Sequence, residues 1–198
     1  DITKSVRIKT MKYATSEKDK QYGKLIAPNL VGVFHDHFFS LRFDLDVDGP
    51  KNNFVRDRIV TQTLPDNSLR RSLWTVDSQR VATEAGAQLN ISMEQPEQWR
   101  VESVDRKNAR GYPTGYAVSW SSNALSQLSR DDYPLRRAGF ARHHLWVTPY
   151  DPAELFSAGD YPNQSRGEGG LPTWTAKDRS IEGTDVVLWY TLGFHHIT

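Results

Sequence analysis

A mainly β fold is predicted by three features of the sequence. Val, Ile, Thr and aromatic residues recur in short runs, Gly, Pro, Asn and Asp separate those runs, and helix-forming stretches are sparse. Branched and aromatic side chains fit a pleated, half-buried surface, and turn formers punctuate strands. The candidate strands are residues 5–11, 30–47, 54–62, 69–76, 88–92, 115–120, 144–149 and 185–193. Each carries such a run. The strongest turn signals are Asp48-Gly49-Pro50, Pro65-Asp66-Asn67 and Tyr112-Pro113. Residues 159–172 form a long loop containing Gly167, Gly169 and Gly170, and a loop of that length in a compact domain points to function or an interface. No internal repeat or linker divides the chain, so residues 1–198 read as a single segment.

The chain has 198 residues, and 25 basic against 24 acidic side chains leave a net charge of +1. That balance lacks the strong field that nucleic acid or an anionic membrane would require. Mean hydropathy is −0.63, and the longest apolar stretches, such as residues 186–190, are far shorter than the ~20 residues of a membrane span. The 22 aromatic residues (6 Trp, 8 Tyr, 8 Phe) supply bulk for a core. There is no Cys, which excludes disulfides, Cys-ligated zinc and thiol catalysis. Asp1-Ile2-Thr3-Lys4 has neither an initiator Met nor an apolar leader, so both ends are expected to be cuts in a longer polypeptide.

All six His fall in three groups: His35 with His37, His143 with His144, and His195 with His196. Alternate residues of a strand share a face, so His35 and His37 stand roughly 6–7 Å apart and can converge on one metal. The plainer reading is two polar aromatics on a half-exposed sheet. A third ligand would decide, and strand alternation allows one His from each adjacent pair without saying which pair. Three imidazoles suit zinc, copper, nickel or iron, with Cu(II) favoured by affinity. A cupin site would place a Glu about four residues on, where Leu41 and Arg42 stand.

Asp44-Leu45-Asp46-Val47-Asp48-Gly49 resembles the opening of an EF-hand loop, but its twelfth position is Val55 instead of Glu. A hard cation such as Ca²⁺ is the functional reading of these carboxylates, and a solvated strand edge the plain one. No Walker-type or G-x-G-x-x-G phosphate loop is present.

These residues resemble the copper-containing, quinone-dependent primary amine oxidases through most of the chain. The likeness runs through Lys9-Thr10-Met11, Tyr22-Gly23, Asn29-Leu30-Val31-Gly32 and His35-Asp36-His37-Phe38-Phe39-Ser40-Leu41-Arg42, then Asp44-Leu45-Asp46-Val47-Asp48-Gly49. It continues through Leu145-Trp146-Val147-Thr148, Tyr161-Pro162-Asn163-Gln164-Ser165, Gly170-Leu171-Pro172 and Asp185-Val186-Val187-Leu188-Trp189. The resemblance implies part of a large antiparallel β-sandwich, the family's catalytic domain. It also implies copper(II) on His35, His37 and His196, with His195 turned away and His143 and His144 as packing or surface residues. A calcium-type site would use the carboxylates of Asp44, Asp46 and Asp185 and the carbonyls of Leu45 and Val186. A second peripheral site in some members would touch Glu84 and Asp178, but the spacing around residues 174–178 departs from the pattern.

The family's topaquinone is made from Tyr in an Asn-Tyr-Asp/Glu motif, and this chain has no Asn-Tyr dipeptide. By resemblance, that Tyr and the Asp base lie upstream of Asp1, and a Pro-rich tail follows Thr198. The implied reaction is oxidative deamination of a primary amine with dioxygen, giving aldehyde, ammonia and hydrogen peroxide. The isolated chain is expected to be inactive; the alternative is a non-catalytic β-rich metal-binding or interaction module. A homodimer is implied, with residues 70–81 as a candidate hairpin arm. The likeness to exported bacterial enzymes suggests a periplasmic or secreted protein, with a cytoplasmic one as the alternative. Asn90-Ile91-Ser92 and Asn163-Gln164-Ser165 match glycosylation acceptors.

Overall fold

The computed structural model describes residues 8–10, 23–120 and 123–197. Its strands, in chain order, are β1 (Ile8–Thr10), β2 (Gly23–Ala27), β3 (Leu30–Val33), β4 (His35–Asp44), β5 (Asn52–Thr63), β6 (Ser72–Arg80), β7 (Glu97–Lys107), β8 (Pro113–Val118), β9 (Leu145–Pro149), β10 (Glu182–Thr184) and β11 (Val186–His196). Among the described residues, helix is confined to α1 (Tyr133–Arg137), α2 (Leu171–Trp174) and a few single 3-10 turns. Every pairing among the described strands is antiparallel. One sheet has the order β1-β3-β2, a second β10-β5-β7-β8 with β6 also on β5, and a third β4-β11-β9.

The main core lies between the second and third sheets. Phe54 of β5 and Trp99 and Val101 of β7 meet Leu145 and Val147 of β9 and Val186 and Leu188 of β11, all buried. The intervening residues of β9 and β11, Trp146, Val187 and Trp189, pack on the opposite face with Leu171, Phe140 and Trp174. This double burial explains why residues 186–190 run apolar without alternation: each face has its own core.

Several sequence expectations shift. The run 30–47 divides at Phe34 into β3 and β4, and residues 69–76 give way to β6, which starts and ends later. Residues 88–92 hold a single bridge, Leu89 to Leu145, where a strand was expected. The expected strand at 5–11 is described only at Ile8–Thr10, and its remainder lies outside the described residues. β2, β10 and the eleven-residue β7 had no sequence signal strong enough to be proposed. In β7, Arg100 bonds Asp57 of β5 and its own neighbour Glu102, so its charges are satisfied across the sheet.

Beyond Arg58, β5 pairs only with β6. This projecting ribbon leaves Ile59, Val60, Trp74 and Val76 exposed. It takes in much of the stretch 70–81 expected to form an arm.

Candidate metal centre

β4 and β11 run antiparallel in one continuous register, His196 opposite His35, His195 opposite Asp36 and Phe194 opposite His37. Opposed residues share a face and alternation does the rest: His35, His37 and His196 project together, on the face that further along contributes Leu188 to the core. Ring centroids are 4.7 Å apart for His35–His37, 4.7 Å for His35–His196 and 5.7 Å for His37–His196. One nitrogen from each lies within 4.8 Å of the others.

The imidazoles are oriented by their surroundings. Nδ1 of His35 is 2.9 Å from the Val33 carbonyl, so it carries the proton and Nε2 keeps a lone pair for the cluster. His37 lies parallel to Phe194, centroids 4.8 Å apart. Nε2 of His37 and Nδ1 of His196 are buried without a hydrogen-bond partner. Burial lowers the His37 pKa, and the neighbouring rings of His35 and His196 lower it further against a small opposing pull from Asp36. Neutral imidazoles with buried, unpartnered nitrogens are the form that binds a metal, and an all-nitrogen set suits copper or zinc better than a hard cation.

His195 sits on the reverse face, where its Nδ1 meets Oδ1 of Asp36 at 2.6 Å. His144 is buried elsewhere: its Nδ1 accepts the Ile91 N–H at 3.0 Å and its Nε2 faces the Ala124 carbonyl at 3.2 Å. His143 packs edge-on against Trp146. Both serve packing, outside the three-histidine cluster.

At the far end of β4, carboxylate oxygens of Asp44, Asp46 and Asp185 also lie within 4.8 Å of one another. Asp185 Oδ1 is buried and unpartnered. Burial and the charges of Asp44 and Asp46 raise its pKa, partly offset by Arg42. The side chains of Leu45 and Val186 point into the main core, alongside these acids in the chain. Glu84, by contrast, has both oxygens bonded to Arg179, and Asp178 Oδ1 accepts the Ala85 N–H.

A family model described as "Copper amine oxidase, enzyme domain" matches residues 2–198. The chain belongs to the copper amine oxidases. It is 39% identical over 201 residues to a copper-containing amine oxidase alpha 2, named peroxisomal, from Arabidopsis thaliana, covering 99% of this chain and 30% of that one. It is 42% identical over 183 residues to the gamma 2 amine oxidase of the same plant, covering 91% of this chain and 27% of that one. Among solved structures, a copper-containing benzylamine oxidase from Hansenula polymorpha superposes with a TM-score of 0.79 at 26% identity, over 89% of this chain and 28% of that one. An Aspergillus nidulans amine oxidase gives 0.76 at 25% identity, over 96% and 26%. The chain thus spans about 30% of the length of the curated relatives it matches.

Sequence reasoning missed two residues that bear on the strand carrying His196. Phe194 is an ordinary strand aromatic until the register places it on His37. Asn123 lies in a loop and has no motif; it bonds backbone groups of β11.

Proposed function

We propose that the chain is the copper-binding part of a larger primary amine oxidase, with His35, His37 and His196 holding copper(II). The observation that carries this reading is the convergence of three imidazoles, two with buried unpartnered nitrogens, on one face of the β4–β11 pair in a chain of this family. Bound there, copper would supply a redox-active Lewis acid for handling dioxygen. The chain's own residues fix the tautomer of His35, stack His37 on Phe194 and withdraw His195 to the reverse face through Asp36. Asp44, Asp46 and Asp185 would hold calcium, with the Leu45 and Val186 carbonyls completing the set. The β5–β6 ribbon, with its exposed Trp74 and Val76, supports a homodimer in which it meets a second copy.

The whole enzyme's activity in this reading is oxidative deamination of a primary amine to aldehyde, ammonia and hydrogen peroxide. The Tyr precursor of topaquinone and the Asp base come from upstream sequence. The enzyme works in the periplasm or outside the cell; the peroxisome named for the Arabidopsis relative is the competing compartment. No helix among the described residues is long and apolar enough to cross a membrane.

The pure 198-residue chain is expected to release no peroxide from tyramine or phenylethylamine. Extended to the length of its relatives and loaded with copper in air, the polypeptide is expected to release peroxide and to lose that activity with His196→Ala. Peroxide from the short chain would overturn the division of labour. A longer polypeptide with another residue in place of the motif Tyr, inactive yet copper-binding, would leave the metal-binding module.

A further inference from the structure

Among the described residues, the end of β11 that carries His196 has one edge without a strand. Up to Tyr190, β11 pairs with β4 on one side and β9 on the other; from Thr191 onward β4 is its one partner among the described strands. In an antiparallel sheet, successive residues turn their N–H and C=O to opposite neighbours, so those of Thr191 and Gly193 face away from β4. Left bare, such groups fray a strand end or seek another chain.

Here all four are satisfied without a strand. The Thr191 N–H donates to the His144 carbonyl at 2.8 Å. The Thr191 carbonyl accepts from Nδ2 of Asn123 at 2.7 Å, and the Gly193 N–H donates to Oδ1 of Asn123 at 2.6 Å. The Gly193 carbonyl accepts the Ala124 N–H at 3.1 Å. A side-chain amide has the same donor and acceptor groups as a peptide unit, and Asn123 presents both to consecutive outward groups of β11 as a paired residue would. Its Nδ2 also reaches the Tyr190 hydroxyl at 3.2 Å, and its Oδ1 also takes the Ala124 N–H at 3.0 Å.

The fit depends on Gly193. A Cβ at that position would stand 2.9 Å from the Ala124 carbonyl oxygen and 2.3 Å from the Phe38 ring, so only glycine admits the clamp. The Ala124 carbonyl is fixed in turn by His144, whose other ring nitrogen accepts the Ile91 N–H. Immediately after Gly193 come Phe194, stacked on His37, and then His195 and His196.

We propose that Asn123 is a positioning residue of the metal centre, standing in for a strand on the open edge of β11 and thereby fixing where His196 and Phe194 stand relative to His35 and His37. This rests on the copper reading above. It assigns a role to a loop residue that touches neither the imidazoles nor any reacting group.

The test compares wild type, Asn123→Ala and Asn123→Asp in the full chain. It measures amide hydrogen exchange at Gly193 in metal-free protein, Cu(II) affinity against a competing chelator, and the Cu(II) paramagnetic resonance spectrum. Asn123→Ala is expected to speed Gly193 exchange by about tenfold, as loss of one hydrogen bond would. It is expected to weaken copper by about tenfold or more and to alter the hyperfine splitting, since supports of metal ligands commonly carry 10–100-fold in affinity. Asn123→Asp keeps the acceptor for Gly193 and loses the donor to Thr191, so Gly193 protection should largely return while copper affinity stays below wild type. Should Asn123→Ala fail to fold, the Asn123→Asp comparison carries the test.

Copper affinity and hyperfine splitting unchanged in Asn123→Ala would overturn the proposal. So would unchanged exchange at Gly193. A wild-type chain that takes up no copper would sink the copper reading itself. The exchange comparison would then still decide whether Asn123 holds the strand end.

Discussion

Replacing Arg179 by Met should cost this fold more than almost any other single change to a polar residue. Its side chain holds two buried carboxylates at once: Glu84, whose side chain is 0% exposed, and Glu154, 5% exposed. Nε and Nη2 reach Glu84 Oε1 at 3.1 and 2.7 Å, the Arg179 backbone N–H reaches Oε2 at 2.8 Å, and Nη2 reaches Glu154 at 2.9 Å. The hydrogen bond to Glu84 is the chief cause of the raised Arg179 pKa. Arg179→Met would leave two acidic groups buried without a counter-charge. Breaking such a pair commonly costs about 3–5 kcal/mol, and the lower end applies because the Arg179 side chain is 23% exposed and partly screened. For a chain of this size, about 3 kcal/mol lowers the melting temperature by roughly 6–12 °C. Thermal and urea denaturation followed by circular dichroism reads this directly. The triple variant Arg179→Met, Glu84→Gln, Glu154→Gln should recover much of the loss, because the stranded charges are gone. A melting temperature within about 2 °C of wild type for Arg179→Met alone would refute the reasoning.

Two further outcomes follow from the electrostatics. Burial, assisted by Arg130 and Arg142, pushes His143 from its ordinary 6.5 down to about 4, so between those values the unfolded chain binds a proton that the folded chain refuses. Stability should therefore fall as pH drops from about 6.5 toward about 4, and His143→Gln should make that decline shallower; an identical slope in the variant would count against it. Millimolar Ca²⁺ should raise the melting temperature by offsetting the burial and the repulsion from Asp44 and Asp46 that lift the Asp185 pKa, and Asp185→Asn should abolish the rise. An equal calcium effect in both proteins would place the ion elsewhere.

The parts of this molecule legible in its sequence are those where periodicity or turn chemistry acts alone. His35 and His37 could be put on one face because a strand alternates, and the turn at Asp48-Gly49 shows in the left-handed backbone of both residues. The third imidazole was different. Its place depends on how β11 aligns with β4 some 160 residues away, and only likeness to a family singled out His196 over its rivals. β7 stayed hidden because Arg100 and Glu102 look like surface residues until Arg100 reaches Asp57 of β5 across the sheet and Glu102 along its own strand. Residues 88–92 failed as a strand because their polar groups turn to His144: Asn90 Oδ1 accepts its backbone N–H, and the Ile91 N–H bonds its ring. Asn123 could not have been found at all, since its partners exist only because β9 stops short of the end of β11.

The most direct test of the account is a Cu(II) titration of the purified chain followed by electron paramagnetic resonance, run beside His196→Ala. The account predicts one equivalent of copper in a tetragonal environment of three nitrogens, degraded by the substitution. Weak, heterogeneous binding that His196→Ala leaves unchanged would contradict it.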